Sequence, residues 1–494
     1  MNKSENLTIK EIFNLAVENQ KKNNFKEALN FYNQVLEMDP NNLNARINLG
    51  AVFKGLGDNK KAKICYEKII EITPNYINAH INLGNIFKDL DEYQKAKNCY
   101  EKAIEIDPSN TKAHNNLGNI FKDLKKYEEA IDCYEKAIEI DPNFVNAYLN
   151  LGLTFQTLEE YQKAKNCYEK AIEIDSNFVD LYINLGSIFV ELGEYKKAID
   201  CYKKGVALKS DHEILLYNLG SALFATKQYK SAVEQFKLTN FRNSKGLLLS
   251  CLSKLDNKFN FFKELDDQIK RGKINALIGS VICSSEIKYG IKRPNPFCGD
   301  PFKYLLKTNL IMEYDFKNIF VDPVKNFLKK NILHHKSQDL LTNGQQTKGN
   351  LFIKKNYFLD QIKNIIHLEV DKYHHQFKES KEGFVKSWPN SYNIKAWLVM
   401  MKSGGKLDPH MHEHGWLSGS IYINVPPKLE TDSGNLVLCI DDQESKIEEN
   451  IKQKKIIDVE TGSLCLFPSS LYHYTIPFES KEDRIVLAFD VIPD

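Results

Sequence analysis

In "DPHMHEHGWLSGS", Asp408 to Ser420, histidines occupy positions 410, 412 and 414 of a chain that holds only 12 among 494 residues. Imidazole is the commonest metal ligand among side chains, and on an extended strand residues i and i+2 share a face, so His410 and His412 can point at one centre. A third ligand is required, and His473, in "FPSSLYHYTIPF", stands near the end of another strand-like segment. Three imidazoles on one face can hold iron, and they can equally hold a hydrolytic zinc, although no carboxylate is placed as an obvious general base for hydrolysis. Asp408 shares the His410 face if the strand runs through Pro409, which makes it an alternative carboxylate ligand or a partner to a ligand. Shifting the frame by two residues would exchange His410 for His414. Two other pairs, His334 with His335 and His374 with His375, sit in charged helical pieces where neighbours point different ways and face solvent.

The elements around these residues are extended. From about Ile394, "IKAWLVMM", "LSGSIYINV", "NLVLCI", "SLCLF" and "RIVLAFDVI" are short runs rich in Val, Ile, Leu and aromatics, punctuated by "SGG", "PP", "DSG" and "ETG". Such runs predict an all-β block, and short, closely spaced strands fit a jelly roll. The insert "DDQESKIEENIKQKK", Asp441 to Lys455, has too few apolar residues for a core and reads as a solvated loop. Trp416, close to the histidines, is either a core residue or the wall of a substrate pocket. Upstream, "LLTNGQQTKGNLF", Leu340 to Phe352, reads as turn and loop.

The first half has a period of 34. Gly50, Gly84, Gly118, Gly152, Gly186 and Gly220 fall on one frame, with Ala16 at the same place in a weaker first unit; an alanine follows twelve residues after each and an aromatic four further on. These residues resemble the tetratricopeptide repeat, a helix-turn-helix unit, over about residues 9 to 245 in seven units. Each unit is too short to bury an apolar face alone, so units stack and leave a concave groove. Two residues before each signature position stands an asparagine: Asn14, Asn48, Asn82, Asn116, Asn150, Asn184 and Asn218. This series resembles the asparagine ladder in the repeats of the O-linked N-acetylglucosamine transferase, where such amides hold a peptide backbone, and it is also a common consensus position. After Ser244 the period fails and the chain continues as helix.

Composition narrows the function. Lys plus Arg is 67 against 65 for Asp plus Glu, a net charge of +2, which gives no footing for nucleic acid or an anionic membrane. No run of about 18 apolar residues occurs and no signal-like core opens the chain, so a cytoplasmic protein is expected. Five of the ten cysteines recur once per repeat, from Cys65 to Cys201, as small buried thiols rather than a disulfide framework.

"GGKLDPHMHEHGWLSGSIYINVPP" together with "TGSLCLFPSSLYHYTIPFESKEDRIVLAF" resembles the 2OG-Fe(II) oxygenase family that is found attached to tetratricopeptide repeats. The resemblance covers about residues 385 to 494. It implies a double-stranded β-helix, Fe(II) held by His410, His412 and His473, and 2-oxoglutarate with its distal carboxylate on Arg484 and Tyr422. Where oxygenases of this fold usually carry Asp or Glu, this chain has His412, which makes the centre all-histidine. The family has no fixed histidine at 414, so His414 is placed beside the ligands rather than among them. The expected organisation is a repeat solenoid over 1–245, a helical capping and linking region over 246–340, and a double-stranded β-helix domain with its supporting helix over 341–494. The expected function is a 2-oxoglutarate dependent hydroxylase acting on a polypeptide recruited by the groove. The alternatives are a non-catalytic interaction scaffold with a degenerate oxygenase fold, and a zinc-dependent hydrolase.

Overall fold

The computed structural model describes residues 7–330, 340–347, 349–353, 356–441 and 453–494. His334, His335 and nearly all of the polar insert after Asp441 lie outside these residues. The chain divides into two compact units, Met1–Ala222 and Leu223–Asp494.

The first unit is a run of paired helices, one pair per 34-residue period. In each central pair a 13-residue helix is followed by one of 14, as in Thr111–Asp123 with Tyr127–Ile140. The signature glycine lies on the first helix and the aromatic on the second, and the two are in direct contact. A Cβ built on Gly118 would stand 2.6 Å from the Tyr134 ring, and the same holds at Gly84 with Tyr100 at 2.7 Å and Gly152 with Tyr168 at 2.5 Å. The three tyrosine side chains are fully buried. The missing methyl therefore sets how closely the helices approach, which is why a helix-weakening residue recurs there. One cysteine precedes each of these tyrosines, and all ten cysteines of the chain are free.

The second unit begins with helices that carry no repeat signature, among them Ser244–Lys254 and Ala276–Tyr289. Its sheet contains nine strands among the described residues: β1 (Leu306–Asn309), β2 (Leu341–Gln346), β3 (Tyr392–His410), β4 (Leu417–Asn424), β5 (Leu436–Cys439), β6 (Lys454–Ile457), β7 (Ser463–Pro468), β8 (Tyr472–Thr475) and β9 (Arg484–Pro493). The order is β1-β7-β4-β9-β3-β8-β5-β6, with β2 on β3, and every pairing is antiparallel. The sheet curls into a jelly-roll-like double-stranded β-helix. Its two faces alternate along β9. Ile485, Leu487, Phe489 and Val491 pack into a core shared with the long helix Tyr357–Phe377, while Val486 faces a separate apolar cluster with Tyr422, Leu438, Cys465 and Phe467.

Two expectations change. The segment Leu340 to Phe352 contains β2, which pairs with β3 in spite of its polar side chains, because backbone hydrogen bonds at a neighbouring strand do not require apolar residues. The "SGG" does not end a strand either: β3 continues through it to His410, and Gly404 takes φ +73°, a left-handed value that a non-glycine residue rarely adopts. One expectation of surface position also shifts. His374 stacks on the Trp388 ring at 4.5 Å, half-buried, and only its neighbour His375 is exposed.

The glycine contacts make a two-way prediction for unfolding midpoints by heat or urea. Gly118→Ala, which drives a methyl into Tyr134, should destabilise by roughly 1–3 kcal/mol in spite of its better helix propensity. Gly55→Ala, where a Cβ meets nothing within 4 Å, should be neutral or stabilise by up to about 1 kcal/mol. Equal effects at the two sites would refute the close-packing role of the signature glycine.

Candidate metal centre

The register of two neighbouring strands builds the site. β3 and β8 are antiparallel with His410 directly opposite His473, so a residue remote in sequence becomes a cross-strand neighbour. Their ring centroids are 4.3 Å apart. His412 lies just past the end of β3, yet its ring returns to the same point, 5.2 Å from His410 and 4.8 Å from His473. One nitrogen of each ring lies within 4.8 Å of the other two.

Two of the rings are anchored through an outer nitrogen, while His473 Nδ1 has no hydrogen-bond partner among the described residues. His410 Nδ1 donates to the backbone carbonyl of Asp408 at 2.9 Å, and His412 Nδ1 meets Asp490 Oδ1 at 2.6 Å. With Nδ1 engaged, each ring turns Nε2 inward, the arrangement that fixes a ligand's tautomer. Burial pushes the His410 imidazole down to about 4, helped by His412. His473 is held well below its ordinary value by burial and then by the other two rings. Both are therefore neutral, the form that binds metal, throughout the physiological range.

Arg484 opens β9 and is among the largest fully buried side chains. Its guanidinium lies over the Tyr422 ring at 5.2 Å. Neither its Nε nor its Nη1 has a hydrogen-bond partner among the described residues. A buried cation with unsatisfied donors is costly, and an anion accepting both hydrogen bonds removes that cost. Tyr422 and Phe467, which His473 touches edge-on at 5.2 Å, belong to one apolar lining. Beside His410 a cavity of about 350 Å³ is lined by Met411 and Glu413 and by Leu247, Leu277 and Val281 from the two helices Ser244–Lys254 and Ala276–Tyr289.

Other candidate residues fall elsewhere. The Asp408 carboxylate pairs with Lys406 at 2.9 Å, so only its carbonyl reaches a histidine. His414 is exposed, 3.0 Å from Asn243 and 3.5 Å from the Glu413 carboxylate. Trp416 is packed in the core, edge-on to Phe297 at 5.2 Å, with its indole N–H donating to the Phe384 carbonyl. The seven asparagines occupy the first helix of each pair, all half-buried except exposed Asn14. Two already bridge neighbouring units: Asn116 donates to Asn85 at 3.3 Å, and Asn150 to Asn115 at 2.9 Å. Asp490 was not expected. The available signal was a lone acidic residue closing "RIVLAFD" in the same strand alternation as Arg484.

The sequence model of the family described as "Putative 2OG-Fe(II) oxygenase" matches residues 395–490, a span that holds all three histidines, Tyr422, Arg484 and Asp490. Tetratricopeptide models match a series of segments that includes 20–85, 77–110, 118–159 and 186–227. Similar solved structures are repeat proteins. MamA is 27% identical over 33% of this chain and 95% of its own, with a TM-score of 0.30. A tetratricopeptide repeat protein from Parabacteroides merdae is 19% identical over 49% of this chain and 98% of its own, at 0.39. YrrB, described as a TPR protein with an unusual peptide-binding site, is 21% identical over 40% of this chain and 97% of its own, at 0.31. A search of curated proteins finds no match. The chain thus joins an array of tetratricopeptide repeats to a domain of the 2OG-Fe(II) oxygenase family.

Proposed function

We propose that the protein is an Fe(II)- and 2-oxoglutarate-dependent dioxygenase that hydroxylates a polypeptide recruited by its repeats. The observation that carries this reading is the pairing of three converging imidazoles with a buried guanidinium whose Nε and Nη1 lack hydrogen-bond partners among the described residues. Iron suits imidazole, and His410, His412 and His473 would hold it while leaving it able to take up a keto acid. A hydrolytic zinc site gives no reason to bury an unpaired arginine in the same domain.

When bound, the iron and 2-oxoglutarate would supply the oxidative chemistry with dioxygen as oxidant, one oxygen atom going to the keto acid as it becomes succinate and carbon dioxide and the other turning a substrate C–H into C–OH. This chain's residues position the participants. His410, His412 and His473 are the ligands in this reading. Arg484 grips the distal carboxylate with two parallel hydrogen bonds, which its planar fork permits and a lysine would not reproduce. Tyr422 supports the guanidinium from its ring face. The apolar lining around Tyr422 and Phe467 keeps water from the keto acid, so that charge contacts there are strong.

The seven asparagines present amides that can both donate and accept toward an extended backbone without reading its side chains. At a net ~1 kcal/mol per bond, minus ordering of the bound segment, the groove attaches weakly and raises local concentration. Ten free cysteines suit a reducing, cytoplasmic setting. No helix among the described residues is long and apolar enough to cross a membrane.

Thermal unfolding of the full chain with Mn(II), then with added 2-oxoglutarate, tests the site. Each ligand at 100 times its Kd should stabilise the native state by about 2.7 kcal/mol. Arg484→Ala should keep the Mn(II) increment and lose the 2-oxoglutarate one, and His473→Ala should lose both. No response of the wild type, or an undiminished 2-oxoglutarate increment in Arg484→Ala, would overturn the proposal. With Fe(II) and ascorbate, the wild type should also turn 2-oxoglutarate into succinate slowly without substrate. Tight retention of zinc with no succinate would favour the hydrolase alternative.

A further inference from the structure

Three imidazoles bring no negative charge to a divalent cation, and burial makes an uncompensated charge expensive. Of the carboxylates close in sequence to the ligands, Asp408 is engaged with Lys406 and Glu413 lies beside His414. Asp490 is different. It is 6% exposed, and its Oδ1 lies 2.6 Å from His412 Nδ1. The Ser418 hydroxyl donates to the same oxygen at 2.8 Å, and Ser418 Oγ is also 2.8 Å from Ser469 Oγ.

The fold builds this cluster from three strands or their ends. Asp490 pairs with Ser418 in the β4–β9 register, and Ser418 pairs with Phe467 on β7, two residues before Ser469. The residues on either side of Asp490, Phe489 and Val491, point into the opposite core, so alternation turns the carboxylate toward the histidines. Gly415 leaves room for it. A Cβ at 415 would lie 2.5 Å from Ser469 Oγ and 3.3 Å from Asp490 Oδ1.

We infer that Asp490 is the positioning residue that supplies the metal centre's negative charge through His412. Its carboxylate accepts a hydrogen bond from Nδ1–H, holds the ring with Nε2 free to turn toward His410 and His473, and makes the imidazole a stronger electron donor. The hydroxyls of Ser418 and Ser469 fix the carboxylate in that direction. In this way a His–Asp pair does one step removed what a directly bound carboxylate would do. The inference rests on the three histidines being metal ligands.

Asp490→Asn keeps shape and an acceptor oxygen and removes the charge. In the full chain, titrated with Mn(II) and followed by the EPR signal of free ion, its affinity should fall about 10- to 100-fold. The thermal midpoint without metal should stay level or rise, since a buried charge is gone. In the iron-loaded protein the Fe(III)/Fe(II) potential should move upward, because the oxidised ion loses more from the missing charge. Ser418→Ala should shift affinity and potential the same way by a smaller factor, and it serves if Asp490→Asn does not fold. Wild-type affinity and potential in both variants would overturn the inference while leaving the metal reading intact. Weakened Mn(II) binding matched by an equal loss of metal-free stability, with no change of potential, would also overturn it in favour of a structural role. A wild type that takes up no Mn(II) would remove the metal reading and this inference together.

Discussion

The backbone ladder between β3 and β8 is the constraint on which the site depends. It sets His410 opposite His473, and because side chains alternate with period two, a slip of one residue would turn one ring to the other face. The same β3 also pairs along its first half with β9, where Met401 stands opposite Arg484. A single strand, with Gly404 at φ +73°, therefore carries His410 and sets the register of Arg484. Strands hold His410, His473 and Arg484, and His412 stands two residues past the end of β3, which favours precise placement of the rings.

Electrostatics follows from that placement. The rings are buried enough that two of them stay unprotonated, and Arg484 is buried with donors to spare. Taken alone, each is a cost to the folded domain. Together they place a cluster of metal-ligating rings and a buried guanidinium in one curled sheet. Asp490 tempers the first of these costs from outside the ring of ligands.

Much of this was legible from residue types and spacing. The 34-residue period identified paired stacked helices because glycine, alanine and tyrosine recur at contact positions, and the alternating runs after Ile394 identified the β block. Convergence of His410 with His412 was argued from strand geometry, although β3 stops at His410 and His412 reaches the centre from the turn beyond. What could not be read were relations set by tertiary contact. A polar stretch such as Leu341–Gln346 becomes a strand through its neighbour's backbone. Whether Trp416 walls a pocket or fills a core depends on Phe297 and Phe384, which are distant in sequence. Asp490 and the helices that flank the cavity escaped notice for the same reason.

The cysteines placed once per repeat carry a further implication. Burial pushes the thiols of Cys99 and Cys201 up to about 11 and those of Cys133 and Cys167 to about 12. Near neutrality almost none of these sulfurs exists as the nucleophilic anion that attacks peroxide. The repeats can thus carry a row of sulfhydryls without inviting their oxidation.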